Sequence, residues 1–248
     1  MIKKVSFRFY EELNDFLPPD KKKIRFEHEF IDRASVKDMI ESLGVPHTEI
    51  DMILVNGKSI DFHYLVQDGD DISVYPVFES FNITNIQHLR KLPLRQPEFI
   101  ADVHLGSLVR YLRMLGLDVV YKNDYSSEEI IETSINENRT ILTKDRELLK
   151  NKKITHGYWI RSEGAEEQVK EIIKRFDLKE NINEFIRCLE CNNILEPVKK
   201  EKIADRLPEK VREWQNEFRY CSHCDKVYWK GTHYEKMLQF ISRIKEDL

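Results

Sequence analysis

Outside two CxxC pairs this chain has no cysteine: Cys188 with Cys191 and Cys221 with Cys224 account for all four. Thiol chemistry is therefore excluded from the rest of the chain. Long apolar runs are missing too. The longest are a few residues, far short of the ~20 that span a bilayer, so no membrane segment is expected. The opening MIKKVSFRFY alternates like a strand and lacks a secretory apolar stretch, which makes the cytoplasm the expected location. No glycine-rich phosphate loop, GxGxxG or GxSxG occurs in the back half, which weakens dinucleotide-binding and serine-hydrolase readings.

What is present suits a globular protein. Of 248 residues, 41% are hydrophobic and 34% charged, enough apolar material for one large core or two to three small ones. The net charge of −4 is unevenly spread, with 10 basic against 16 acidic residues in 1–80 and 30 against 28 beyond. An acidic front is thus joined to a mildly basic remainder, whose small excess permits a local basic face around an acidic site.

The front reads as a β-grasp. Val5, Phe7 and Phe9 alternate with Lys4, Ser6 and Arg8, and Ile24, Phe26 and His28 open a second alternating strand after Pro18-Pro19-Asp20. Ser35 caps a helix carrying Val36, Met39, Ile40 and Leu43, which Gly44 stops. Met52–Val55 runs into the tight-turn pair Asn56-Gly57, and Asp68-Gly69-Asp70 leads to Ile72, Val74 and Tyr75. The stretch ILVNGKSIDFHYLVQDGDDISVYPV resembles small ubiquitin-like sulfur carriers. Carriers work through a terminal Gly-Gly, whereas this strand runs on through Phe78, Glu79 and Ser80. A docking or positioning module is the better expectation.

Residues 81–97, with Pro93 and Pro97, read as a connector. Strands and helices then alternate, which implies a parallel sheet covered by helices. Phe99–Ala101 ends in Asp102, Leu117–Tyr121 is followed by Asn123 and Asp124, and Thr140–Thr143 reaches Asp145. The helix between the first two strands carries Leu105, Leu108, Val109, Leu112 and Leu115. Ser126 and Glu129 form a capping box for the next, and His156–Ile160 is a fourth strand. Strand carboxyl ends share one edge in this architecture, so the three aspartates are expected to gather there. Each alone reads equally as a helix cap. Clustered carboxylates repel unless a cation compensates, and oxygen-only ligands suit Mg²⁺ or Mn²⁺. The chemistry such a site offers is metal-assisted phosphodiester hydrolysis.

The cysteines read as two knuckles on one tetrahedral zinc, separated by 29 residues. Two redox dithiols or two disulfides are the competing readings. His223 and His233 border the second knuckle and are expected to be spectators. His104, near Asp102, is expected to be a surface histidine. Tyr228, Trp229 and Tyr234 near Lys226 and Lys230 read either as ribbon packing or as a stacking surface for single-stranded RNA.

At FIADVHLGSLVRYLRMLGLDVVY, NRTILTKDREL, HGYWIRS, EEQVKEIIKRF, FIRCLECNNILEPV and CSHCDKVYWKGTHY, the chain resembles the PIN-like ribonuclease family named after the carboxy-terminal domain of the Mut-seven exonuclease. The resemblance covers about residues 97–240, and some members carry a ubiquitin-like front domain. It implies a compact α/β nuclease fold whose acids bind Mg²⁺ or Mn²⁺ and cut RNA. Asp102 matches the first acid, and Thr143 with Asp145 matches a Thr-x-Asp signature. The middle acid stays open between Asp124 and the helix-opening Glu128 and Glu129, since Ser127 stands where an aspartate is common. Glu163 is the nearest fourth acid. Arg110 and Arg113 either pair on the surface or steer a phosphate toward Asp102, with the family motif favouring Arg113. Lys144 and Arg146, with Lys150, Lys152 and Lys153, flank the third acid as a solvated face or a phosphate contact.

The expected protein is therefore α/β, with a ubiquitin-like β-grasp at 1–80, a connector at 81–97, a PIN-like domain at 98–180 and a zinc ribbon with a terminal helix at 181–248. The expected function is a ribonuclease needing a divalent metal, with Asp102 and Asp145 holding Mg²⁺ or Mn²⁺ and Cys188, Cys191, Cys221 and Cys224 holding zinc. A non-catalytic RNA or ribonucleoprotein adaptor is the alternative. RNA is the expected partner, with a protein partner at the front module and pairing of two copies as further expectations.

Overall fold

Alternation builds the first sheet. The computed structural model describes residues 2–76 and 98–247; the connector 81–97 and the run-on through Phe78, Glu79 and Ser80 lie outside the described residues. β1 (Lys3–Phe9) buries Val5, Phe7 and Phe9 while Lys4 and Arg8 stay exposed. β2 (Phe26–Phe30) pairs with it antiparallel. Ile24, expected to open this strand, is 50% exposed and outside it. Buried Asn14 is the reason. Its amide donates to the carbonyls of Phe9 and Glu11 at 3.0 and 2.9 Å, and its Oδ1 accepts the Lys23 N–H at 2.6 Å. The chain is thereby held in a turn, with Lys23 at φ +59, until Phe26.

α1 (Val36–Ser42) starts where the Ser35 hydroxyl accepts the Asp38 N–H at 3.1 Å, and Gly44 ends its exit turn at φ +99. β3 (Ile50–Val55) and β4 (Lys58–Ile60) flank Asn56 and Gly57, whose φ values of +50 and +79 suit a primed hairpin turn. β5 (Asp71–Pro76) lies parallel to β1 and antiparallel to β3. The order β2-β1-β5-β3-β4 is that of a β-grasp. Its core joins Phe7, Phe9, Leu13, Ile40, Ile53 and Val74.

Alternating units follow: β6 (Phe99–Ala101), α2 (Gly106–Met114), β7 (Val119–Val120), α3 (Ser127–Glu137), β8 (Thr140–Thr143), α4 (Arg146–Leu149), β9 (Gly157–Trp159) and α5 (Ala165–Arg175). β6 pairs in parallel with β7, and β8 in parallel with β9. β7 is shorter than the expected Leu117–Tyr121 because the Leu117 N–H still serves the exit of α2, donating to the Leu112 carbonyl at 3.0 Å. The ribbon adds β10 (Glu196–Val198), α6 (Glu209–Trp214), β11 (Phe218–Cys221) and β12 (Lys226–Trp229), antiparallel in the order β10-β11-β12, then α7 (Thr232–Glu246). No helix among the described residues is long and apolar enough to cross a membrane.

The chain forms two compact units, 1–95 with 127–159 and 96–126 with 160–248. Within the first, a 3-10 turn at His47–Glu49 fastens the β-grasp to the segment from α4 to β9. The fully buried Glu49 accepts the Trp159 N–H at 2.6 Å. His47 lies between two acceptors, Glu41 Oε1 at 2.6 Å and the Ile154 carbonyl at 2.8 Å. Gly157 allows this closeness, since a Cβ there would sit 2.5 Å from Leu149 Cδ2 and 3.5 Å from Thr48 Oγ1. Within the second unit, α2 packs on α5, α5 on α7, and Tyr111 stacks on Phe240 with ring centroids 4.2 Å apart.

Candidate active site and metal centre

The best-defined site is the four-cysteine centre. A reverse turn after Cys188, in which the Cys188 N–H reaches the Asn193 carbonyl and the Asn192 N–H the Cys188 carbonyl, folds the first knuckle back on itself. Cys221 ends β11, Cys224 lies in the turn to β12, and all four Sγ atoms fall within 4.8 Å of one another. Cys188 and Cys224 approach to 3.3 Å, as do Cys191 and Cys221. Bonds of ~2.3 Å to a tetrahedral zinc place sulfurs ~3.8 Å apart, so the donor set and its spacing fit that ion. Burial pushes the Cys188 thiol up, but the Tyr228 hydroxyl and the backbone N–H groups of Cys191 and Glu190 outweigh it and bring it down to about 7. His223 and His233 are exposed and outside this cluster.

Arg113 corrects an expectation. It does not face a phosphate: it is 2% exposed, and its Nε and Nη2 donate to the Val119 carbonyl at 2.9 and 2.8 Å. Its Nη1 reaches the carbonyls of Leu189 and Glu190, inside the first knuckle, at 3.2 and 2.7 Å. Burial lowers its affinity for a proton, and the neighbouring Cys191 and Cys188 charges act against that. Four thiolates around one divalent ion would carry a net charge of −2, which this guanidinium would partly offset.

Three neighbours that sequence reasoning missed complete the attachment. Asn192 accepts the Val119 N–H at 3.1 Å and donates to Asp118 at 2.8 Å, while Arg187 pairs with Asp118 at 3.0 Å. Arg187 also donates to the Gly116 carbonyl at 3.0 Å. Asn192 and Arg187 had a local signal, their places directly after Cys191 and directly before Cys188; Asp118 had none.

Each expected acid stands past its strand. Asp102 follows β6, half-buried, and accepts the Val103 N–H at 2.6 Å. Asp124 is exposed in the loop after β7. That loop is pinned to the one after Asp102, because the Tyr121 hydroxyl donates to the Val103 carbonyl at 2.8 Å and a Cβ on Gly106 would sit 2.8 Å from that same hydroxyl. In the other unit, buried Thr143 accepts the Asp145 N–H on its Oγ1 at 2.9 Å, and Asp145 Oδ1 accepts the Glu147 N–H at 2.8 Å. The threonine thus orients the acid through its backbone. Glu128 is exposed in the first turn of α3, and Glu163 and His104 are also exposed.

The expected cations divide. Arg110 is exposed, without a partner among the described residues. The Arg146 guanidinium stacks 3.8 Å from the Trp159 ring centroid and 5.3 Å from that of Phe16, so it packs against the β-grasp core. Lys144 is half-buried, and Lys150 pairs with Glu147 at 2.7 Å. Within either unit, among the described residues, the cysteines are the group of three or more metal-ligating side chains close enough to share an ion.

The Mut7-C RNAse domain family matches residues 97–241, more than half the chain. The chain belongs to that family. The Mut7-C ubiquitin family matches residues 2–82, the stretch that carries the β-grasp sheet. No curated protein and no solved structure matches the chain.

Proposed function

We propose that the chain is a ribonuclease that hydrolyses RNA phosphodiester bonds with a divalent metal, with zinc as a structural ion in its ribbon. The observation that carries this reading is the pairing of Thr143 with Asp145 in a Mut7-C RNAse domain. The hydroxyl fixes the backbone of the residue whose carboxylate must be aimed. One carboxylate oxygen of Asp145 is held by the Glu147 N–H, and the other has no partner among the described residues. Such a carboxylate suits a hard cation, as does Asp102, whose Oδ1 is likewise oriented by a backbone N–H. Mg²⁺ or Mn²⁺, when bound, would acidify a water and offset charge on the phosphate. Asp102 and Asp145 would be its ligands, Asp124 or Glu128 would assist, and Arg110 would attract the phosphate backbone.

The test is cleavage of labelled single-stranded and structured RNAs with Mg²⁺ or Mn²⁺ by the wild type and by an Asp102→Asn/Asp145→Asn variant. Metal-dependent cutting by the wild type alone is the expected result. A folded, zinc-loaded wild type that binds RNA without cutting it would replace this reading with the adaptor.

A further inference from the structure

A cleft of about 580 Å³ opens beside the ribbon, lined in part by Phe185, Arg219, Tyr228, Lys230 and Tyr234. Its size falls within the ~300–1,000 Å³ of small-molecule sites. The sheet register explains its chemistry. Pro197 lies opposite Arg219, and Arg219 opposite Tyr228, so the three side chains share one face. Phe218 and Trp229 form the neighbouring pair and pack with Ile203 and Leu207, and half-buried Trp229 also lines the cleft.

The opposite wall is aromatic and costly to hold. Phe185 has φ +57, a left-handed conformation that a bulky residue enters at a cost of ~1–3 kcal/mol. Two backbone hydrogen bonds enforce it, Asn183 N–H to Leu115 and Phe185 N–H to Met114, at 3.0 and 2.9 Å. Phe185 is kept half-buried with its ring against Tyr234, centroids 4.6 Å apart.

The cations are not equivalent. Arg187 is committed to Asp118, and Lys230 pairs with Glu217 at 2.6 Å. Exposed Arg219 has no partner among the described residues, and its charge acts against that of Lys230. An unpaired guanidinium among aromatic walls matches a planar base joined to a phosphate.

We propose that this cleft binds single-stranded RNA, taking one unstacked nucleotide with its base against Phe185, Tyr228 and Tyr234 and its phosphate on Arg219. The choice of RNA rests on the ribonuclease reading; the cleft adds where the strand is held. The test measures binding of a labelled single-stranded oligoribonucleotide, a hairpin duplex and adenosine monophosphate. It uses the full zinc-loaded chain in the Asp102→Asn/Asp145→Asn background without added Mg²⁺, so that the result is independent of cutting. Arg219→Glu and Tyr234→Ala should each weaken the single strand about tenfold, Arg219→Lys should retain most of the affinity, and exposed Lys210→Glu should change it less than about twofold. Zinc content and melting temperature confirm that each variant is folded. Single-strand affinity unchanged in both Arg219→Glu and Tyr234→Ala would overturn the proposal, as would a duplex bound as tightly as the strand. Adenosine monophosphate binding as tightly as the strand would also overturn it, marking a free-nucleotide site.

Discussion

The β-grasp and the ribbon each clasp a parallel strand pair within their own unit, and they do so by different physics. At the β-grasp, Glu49 and His47 meet single backbone groups of Trp159 and Ile154, and Phe16, Trp159 and Arg146 stack beside them. At the ribbon, Arg113, Asn192 and Arg187 reach β7 and the turn before it from around a four-sulfur centre. The first clasp is complete from the chain alone. The second surrounds four cysteines whose spacing fits a shared ion, and as thiolates they would repel without one. On this comparison, support for β8–β9 comes from the chain alone, whereas support for β6–β7 is expected to depend on an ion at the four cysteines.

Metal loss should break the symmetry most. Zinc binding contributes ~10–16 kcal/mol in small zinc modules, so Cys221→Ser or chelation should abolish zinc binding and cost several kcal/mol in the ribbon unit. Hydrogen exchange should rise in β6, β7 and the ribbon while the β-grasp core stays protected. Equal loosening of both would mean that the two clasps are not independent.

Next in size is Arg113→Lys. An ammonium cannot span the carbonyls that a planar guanidinium reaches at once, so it should cost ~2–4 kcal/mol, close to the cost of Arg113→Ala. A denaturant titration decides this, and full rescue by lysine would reduce the role of Arg113 to its charge.

Glu49→Ala leaves the Trp159 N–H without that acceptor and should cost ~1–3 kcal/mol, with zinc content unchanged. Glu49→Gln keeps an acceptor oxygen and should cost less. Arg146→Ala comes below these, at ~0.5–1 kcal/mol for the lost stacking. Thermal melts rank the three, and a larger effect for Arg146 than for Glu49 would invert the account of this clasp.

The smallest effect separates metal from protons. Burial, then the charge of Lys21, holds the His28 imidazole below its usual range in the folded state. The folded form therefore binds that proton less readily than the unfolded form. The stabilising difference is present above about pH 6.5 and is lost as pH falls through and below that value. His28→Asn should flatten this part of the stability-versus-pH curve without altering its zinc dependence, and an unchanged slope would remove His28 as the cause.

Much of this was legible because the signals were local. The alternation of Val5, Phe7 and Phe9, the Ser35 cap, the Asn56-Gly57 turn and the CxxC spacing each act within a few residues. Ile24 misled because the amide that bends its neighbourhood belongs to Asn14, outside any local pattern. Arg113 misled for the same reason on a longer scale, since its partners at Leu189 and Glu190 are 76 and 77 residues away. Thr143 and Asp145 were readable as a motif. That the hydroxyl accepts the Asp145 N–H was not.

Gly116 has a consequence for how this architecture is inherited. Its φ is +89, and a Cβ there would lie 2.1 Å from the Asn183 carbonyl oxygen, the start of the arm leading to the first knuckle. One hydrogen atom in place of a methyl group therefore sets how near that arm can pass. Among relatives, glycine at this point should travel with an arm seated as closely as this one, and its replacement should mark lineages in which the ribbon has moved or disappeared.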